Sequence, residues 1–84
     1  MYTIIGTENC QWCKQAKKLF NENNIAFEDK LIPFNFSKEE FVELADKYGM
    51  PHAVPLIFNG TELIGGFQDL EYHIEDLNEQ NGSA

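Results

Sequence analysis

The first half of the chain alternates between strand-like and helix-like spacing of its apolar residues. Tyr2–Ile5 is a short β-prone run closed by Gly6, which predicts one buried strand. Between Gln11 and Asn24 the apolar residues recur at intervals of three and four, which predicts an amphipathic helix. Ile25–Ile32 predicts a second strand, and Pro33 ends it because proline has no amide hydrogen for a sheet. The apolar positions of the helix are Ala16, Leu19 and Phe20.

Ser37 carries the clearest helix-start signal in the chain. Ser37 and Glu40 have the spacing of a capping box, in which each side chain bonds an amide of the other residue. Phe36 and Phe41 flank them at the spacing of a hydrophobic staple. Gly49 predicts the end of this second helix. Its apolar face continues through Leu44, Ala45 and Tyr48.

The second half predicts a hairpin and a last helix. Val54–Phe58 has the composition of a third strand, and Asn59-Gly60 tolerates the positive φ angles of a two-residue type I′ turn. The turn leads into a fourth strand, Thr61–Ile64, which Gly65-Gly66 ends. Helical spacing returns over Asp69–Leu77.

The element order β-α-β-α-β-β-α predicts an α/β fold. The first β-α-β unit can form a parallel, right-handed crossover, and the last two strands form an antiparallel hairpin. One mixed four-stranded sheet with helices on both faces accommodates every element. Eighty-four residues suffice for one domain, which we expect over residues 1–78, followed by a frayed polar tail over residues 79–84.

The charge balance narrows the classes of partner. Six lysines, no arginine and fourteen acidic residues give a net charge of −8. This balance argues against nucleic acid and against an anionic membrane surface, because both require basic contacts. The chain has no run of about eighteen apolar residues and no signal-peptide pattern at its start. We therefore expect a monomer in the cytoplasm, where thiols are kept reduced.

Cys10-Gln11-Trp12-Cys13 lies between the first strand and the first helix. A C-x-x-C motif fits a redox pair, half of a zinc site, or two buried thiols without chemical function. A structural zinc site needs four ligands, and beyond the cysteines the chain offers only His52 and His73, without matching spacing. We therefore expect no metal site. The redox interpretation is favoured, and the buried-thiol interpretation stays open.

The position of the motif assigns a role to each cysteine. Free amides and the helix dipole favour an anion at the N-terminal edge of a helix, where Cys10 is expected. The thiolate is the reactive species. Cys13 lies one turn further in and should be more shielded. Cys10 is therefore predicted to attack a disulfide and Cys13 to resolve the mixed disulfide. Trp12 is predicted to face outward, where it contacts substrate or shields the sulfur.

Three motifs in this order resemble the glutaredoxin family: the C-x-x-C, Val54-Pro55, and the run Gly-Gly-Phe-Gln-Asp-Leu at residues 65–70. The resemblance covers Met1 to about Leu77. It implies a thioredoxin-like fold in which Pro55 is cis and lies opposite the cysteine pair. It also implies that the Val54 backbone pairs with the cysteine of bound glutathione as a short added strand.

The resemblance implies a glutathione site as well. The amides of Phe67–Asp69 would receive the γ-glutamyl carboxylate, and Asp69 would receive its ammonium group. Gly66 would allow close approach of the ligand. The predicted site residues are Trp12, Val54, Pro55, Gly66, Phe67, Gln68 and Asp69.

The chain departs from the family pattern around the cysteines. Thr7 replaces a frequent lysine, Ala53 replaces the threonine usual before Val-Pro, and Gln11-Trp12 replaces a common Pro-Tyr. The segment before Val54 is also one residue longer than usual. These changes leave the glycine carboxylate of glutathione without its usual partner. Lys14, Lys47 and His52 are candidates for that contact.

The function implied by the resemblance is that of a dithiol glutaredoxin. Such an enzyme reduces protein disulfides and glutathione mixed disulfides with glutathione as co-substrate, and ribonucleotide reductase is one implied client. Two alternatives remain. One is a redoxin reduced by thioredoxin reductase, and the other is a carrier of a [2Fe–2S] cluster held between two protomers by Cys10 and glutathione.

Overall fold

The computed structural model describes residues 1–82 and confirms the predicted element order. Its strands are β1 Tyr2–Gly6, β2 Phe27–Leu31, β3 Leu56–Asn59 and β4 Glu62–Gly65. Its helices are α1 Gln11–Glu22, α2 Lys38–Lys47 and α3 Phe67–Gly82.

The four strands form one mixed sheet in the order β2-β1-β3-β4. β1 pairs in parallel with β2, and the other two pairings are antiparallel. Since side chains alternate across a strand, Ile4 and Ile5 of β1 enter separate cores on opposite faces. The chain leaves the centre of the sheet at Gly6 and reaches the first cysteine four residues later.

The first core joins α1 and α3 on one face of the sheet. Phe20 is fully buried there, and its ring lies 5.2 Å from the rings of both Tyr2 and Phe27. Leu70 of α3 belongs to the same core, which holds the start of α3 beside α1. Phe41 of α2 fills the second core on the other face together with Leu56. The prediction of helices on both faces is confirmed.

The hairpin differs from its prediction by one residue. Asn59 pairs with both Tyr2 and Glu62, so it belongs to β3 and the two-residue loop is Gly60-Thr61. Of these two loop residues only Gly60 has a positive φ, 63°. A type I′ turn needs a positive φ at both positions, so that prediction is wrong, whereas the two-residue length is confirmed.

Two strands are shorter than predicted. β2 begins at Phe27 because the amide of Ile25 bonds the carbonyl of Phe20 at 2.9 Å, which makes Ile25 part of the turn after α1. β3 begins at Leu56, after a cis Val54–Pro55 peptide bond. A second cis peptide bond, Ile32–Pro33, lies beyond the end of β2.

The last helix is longer than predicted at both ends. The carbonyl of Gly66 accepts the amide of Leu70 at 3.1 Å, so the helix starts at Phe67. The predicted end at Leu77 is wrong, because the polar residues that follow continue the helix as far as Gly82. The Asn78 side chain donates a hydrogen bond of 3.1 Å to the side chain of Asn23, which is the C-cap of α1. Residues 83–84 of the predicted tail lie outside the described residues. No helix within residues 1–82 has the length and apolar character needed to cross a membrane.

The capping box at α2 is present. The Ser37 hydroxyl accepts the Glu40 amide at 3.0 Å, and the Glu40 carboxylate accepts the Ser37 amide at 3.1 Å. Phe36 and Phe41 both contribute to the second core. Two otherwise unpaired backbone donors of the first turn are thereby satisfied.

Replacing Ser37 by alanine removes one of these bonds and should lower the free energy of unfolding by about 1 kcal/mol. Urea unfolding measures the change. Lys38→Ala, at the next and exposed position, is the matched control and should change stability by less than about 0.5 kcal/mol. Equal effects of the two substitutions would contradict a stabilising role for the cap.

Candidate active site

Cys10 occupies the N-cap of α1. Its backbone is extended, with φ −101° and ψ 114°, and its sulfur accepts the amide of Cys13 at 3.1 Å. The sulfur therefore takes the place that a serine or aspartate oxygen usually has at a helix start. The Cys10 carbonyl accepts the amide of Lys14 at 3.2 Å, and this bond begins the hydrogen-bond pattern of the helix. Unpaired amides and the helix dipole together favour negative charge at this sulfur.

Cys13 is buried, whereas Cys10 is partly exposed. Only 1% of Cys13 is exposed, and a Cβ at Gly6 would lie 2.5 Å from its sulfur, so glycine is required there. Burial raises the pKa of Cys13 to about 12; Cys10 adds to this increase, whereas the Thr7 backbone and the charge of Lys17 oppose it. Cys13 is therefore a protonated thiol near neutral pH. Both cysteines are free thiols.

The two residues that precede β3 lie beside the Cys10 sulfur. The Val54–Pro55 peptide bond is cis, and the Val54 carbonyl oxygen lies 3.9 Å from the Cys10 sulfur. The Cys10 sulfur and the Val54 backbone carbonyl therefore lie side by side.

A groove of about 520 Å³ lies beside this contact, and we call it the active-site groove. All seven residues predicted to bind glutathione line it. Sequence reasoning missed four further lining residues, namely Met50, Pro51, Ala53 and Glu71. Glu71 follows Gln68 by three positions on α3, so the two side chains share one face of the helix, and this spacing is the signal that could have found it.

Trp12 and Phe67 form one wall of the groove. Their ring centroids are 5.2 Å apart, and 57% of Trp12 is exposed. The predicted outward orientation of Trp12 is therefore confirmed. An indole of this kind offers a flat apolar surface to a substrate.

The start of α3 also lines the groove. Asp69 accepts the Gly66 amide at 3.0 Å through one carboxylate oxygen. Gly65 has a φ of 123°, and a Cβ there would collide with the same carboxylate. Glycine at position 65 thus lets the Asp69 carboxylate lie against the chain turn at the groove edge.

The groove carries negative charge. Within residues 1–82 its lining includes two carboxylates, Asp69 and Glu71, and no lysine, arginine or histidine. The three side chains predicted as candidates for the glycine carboxylate, Lys14, Lys47 and His52, lie outside this lining. His52 pairs with Asp46 at 2.7 Å. Lys47 lies 5.7 Å from the ring centroid of Tyr48, and Lys14 is exposed.

The C-x-x-C motif also fits half of a zinc site, which would need further ligands near the cysteines. In the part of the chain that the structure describes, no three histidine, cysteine or acidic residues are grouped so as to hold a metal ion. Cys10 lies beside the Val54 backbone, which lines the active-site groove.

Comparisons with known proteins place this geometry among redox proteins. The glutaredoxin family profile matches residues 1–64. Glutaredoxin 1 of Rickettsia conorii is 36% identical over 68 residues, covering 79% of this chain and 66% of that protein. The glutaredoxin-like protein NrdH of Lactococcus lactis is 34% identical over 71 residues, covering 84% and 93%. The crystal structure of glutaredoxin 1 from Francisella tularensis complexed with cacodylate is 29% identical with a TM-score of 0.72, covering 90% and 93%.

The different burial of the two cysteines predicts different reactivity toward iodoacetamide. At about pH 7.5, Cys13 in the folded Cys10→Ser variant should react on the order of a hundredfold more slowly than Cys10 in the Cys13→Ser variant, because the thiolate is the nucleophile. The rate at Cys13 should still be rising well above neutral pH, because burial raises the pKa of this thiol. Mass spectrometry of timed samples measures both rates, and urea-unfolded protein is the control. Similar rates in the two folded variants would contradict the assigned roles.

Proposed function

Because this chain belongs to the glutaredoxin family and is therefore a thiol–disulfide oxidoreductase, we propose that it reduces protein disulfides and glutathione mixed disulfides with glutathione as co-substrate. The observation that carries the proposal is the position of the Cys10 sulfur, 3.9 Å from the Val54 carbonyl at the edge of the active-site groove. A reduced cytoplasm is the proposed compartment and ribonucleotide reductase one proposed client.

The proposed reaction has three steps. The Cys10 thiolate attacks a substrate sulfur, the substrate disulfide breaks, and the released thiolate takes a proton from solvent. With a protein disulfide, Cys13 then attacks the Cys10 sulfur, releases the second substrate thiol and closes the Cys10–Cys13 disulfide. Two molecules of glutathione reduce that disulfide and leave as oxidised glutathione. With a glutathione mixed disulfide, a second glutathione can instead attack the glutathione sulfur on Cys10, which frees Cys10 and forms oxidised glutathione.

The groove offers a binding partner to two of the three parts of glutathione. The cysteine part would extend along the Val54 backbone as a short added strand. The γ-glutamyl carboxylate would meet the first amides of α3, at Phe67–Asp69, where the helix dipole favours an anion. Its ammonium group would meet Asp69. The glycine carboxylate would find no cation among the described lining residues.

This last feature favours a second candidate, a redoxin that receives electrons from thioredoxin reductase. The negatively charged groove disfavours an anionic tripeptide. The chemistry at Cys10 and Cys13 is the same for both candidates. Only the source of electrons differs.

One set of assays separates these candidates. NADPH oxidation is followed with a protein disulfide or a glutathione mixed disulfide, using either glutathione with glutathione reductase or thioredoxin reductase alone. Turnover with the first system supports the glutathione-dependent enzyme, and turnover only with the second supports the redoxin.

The single-cysteine variants test the roles in the same assays. Cys10→Ser should abolish turnover of both substrates because it removes the nucleophile. Cys13→Ser should spare the reduction of glutathione mixed disulfides and reduce protein-disulfide turnover at least about tenfold, since Cys13 is needed only for resolution. Activity retained by Cys10→Ser would overturn the proposal.

The two groove carboxylates should affect glutathione binding in opposite directions. Asp69→Asn should raise KM for a glutathione mixed disulfide about three- to tenfold, because it removes the partner of the ammonium group. Glu71→Gln should lower KM about two- to fivefold, because the ligand is anionic overall and Glu71 has no assigned partner. Both effects should shrink as salt is added.

Glu75→Gln is the matched control for these two substitutions. Glu75 is exposed one turn further along α3 and does not line the groove. KM should stay unchanged in this variant. If Glu71→Gln and Glu75→Gln change KM equally, the position of Glu71 in the groove has no specific effect on glutathione binding, and the prediction is wrong.

A further inference from the structure

A partly buried ion pair lies one helical turn beyond Cys13. The ammonium nitrogen of Lys17 lies 2.7 Å from a carboxylate oxygen of Asp29, and the two side chains are 30% and 31% exposed. Cys13 and Lys17 are four residues apart on α1, so their side chains share one face of the helix. Asp29 is the β2 partner of Ile4, whose side chain belongs to the core beneath α1.

The two carboxylate oxygens of Asp29 have different environments. One carboxylate oxygen of Asp29 bonds Lys17, whereas the other is buried without a hydrogen-bond partner. An unpartnered buried oxygen costs free energy, and this cost offsets the small gain expected from such a pair. The arrangement therefore gains little stability, but it holds a positive charge at a defined place.

The Cys13 thiol lies on the same face of α1, one helical turn before Lys17. Burial raises the pKa of Cys13 to about 12, and Lys17 is the charged side chain that opposes this effect. Cys10, in contrast to Lys17, raises the pKa of Cys13, in part through its charge. In the mixed disulfide Cys10 has lost its charge, so burial disfavours the Cys13 thiolate while Lys17 and the Thr7 backbone favour it.

We propose that Lys17, held by Asp29, is a positioning residue for the resolving step: its ammonium group stabilises the negative charge that develops on Cys13. In that step the bond between Cys10 and the substrate sulfur breaks and the Cys10–Cys13 bond forms. The Cys13 proton goes to solvent, and the substrate leaves as a thiolate that solvent protonates. No further oxidant or reductant takes part. This inference rests on the proposed function, and it goes beyond it by assigning a residue to the second step alone.

The test uses an aromatic disulfide that releases a coloured thiolate in each step, 5,5′-dithiobis(2-nitrobenzoate). In stopped flow the first release reports attack by Cys10 and the second reports resolution by Cys13. Lys17→Gln should slow the second phase about five- to tenfold at neutral pH and leave the first phase within about twofold. The rise of the second-phase rate with pH should move to higher pH, because the pKa of Cys13 is no longer lowered by Lys17.

Two further variants separate charge from structure. Lys17→Arg keeps the charge and should restore the second phase to within about twofold of the original rate. Lys18→Gln removes the same charge at the next, exposed position and should change neither phase. Urea unfolding of Lys17→Gln checks that the protein remains folded.

The outcomes are distinguishable from failure of the proposed function. If the first phase is absent, or if Cys13→Ser still shows the second release, the cysteine roles themselves are wrong. If both phases are present and Lys17→Gln matches Lys18→Gln in rate and pH profile, the cysteine roles stand and the role of Lys17 is overturned.

Discussion

The hydrogen bond from the Cys13 amide to the Cys10 sulfur is the constraint on which the site depends. At 3.1 Å it makes the sulfur the cap of α1 and so places the nucleophile where a helix favours negative charge. The same turn carries Cys13 inward against Gly6, where no larger residue fits. One local structure thus produces both an accessible sulfur and an enclosed one. The reactivity of the pair follows from this difference in position.

The rest of the fold brings a binding surface to that sulfur. β3 lies beside the interior strand β1, and the two residues before β3, Val54 and Pro55, come next to the start of α1. Leu70 anchors α3 in the same core as α1, which brings the start of α3 to the other side of the groove. Backbone groups, an aromatic wall and two carboxylates therefore surround a reactive sulfur although the chain supplies them from three distant segments. The negative charge of the lining disfavours an anionic electron donor such as glutathione.

Local signals in the sequence predicted the architecture well. The strand and helix spacing, the Ser37 capping box and the C-x-x-C at a helix start depend on neighbouring residues, and the structure agrees with them. The cis bond at Pro55 and the seven predicted residues that line the groove followed from family resemblance, not from local pattern. The missed features depend on tertiary placement. The loop shifted to Gly60-Thr61 because Asn59 pairs with Tyr2 across the sheet, and the pairing of Lys17 with Asp29 depends on how α1 lies over β2. The polar end of α3 has no apolar periodicity, and its contact with Asn23 could not be seen from the sequence.

The central claim is that the groove beside Cys10 receives the thiol partner of the reaction. The most direct measurement compares ¹H–¹⁵N NMR spectra of the Cys13→Ser variant with and without glutathione linked to Cys10. The account predicts shifts at the amides of Val54 and Phe67–Asp69 and at the Trp12 indole, with α2 unaffected. Shifts limited to the immediate neighbours of Cys10, or centred on α2, would contradict it.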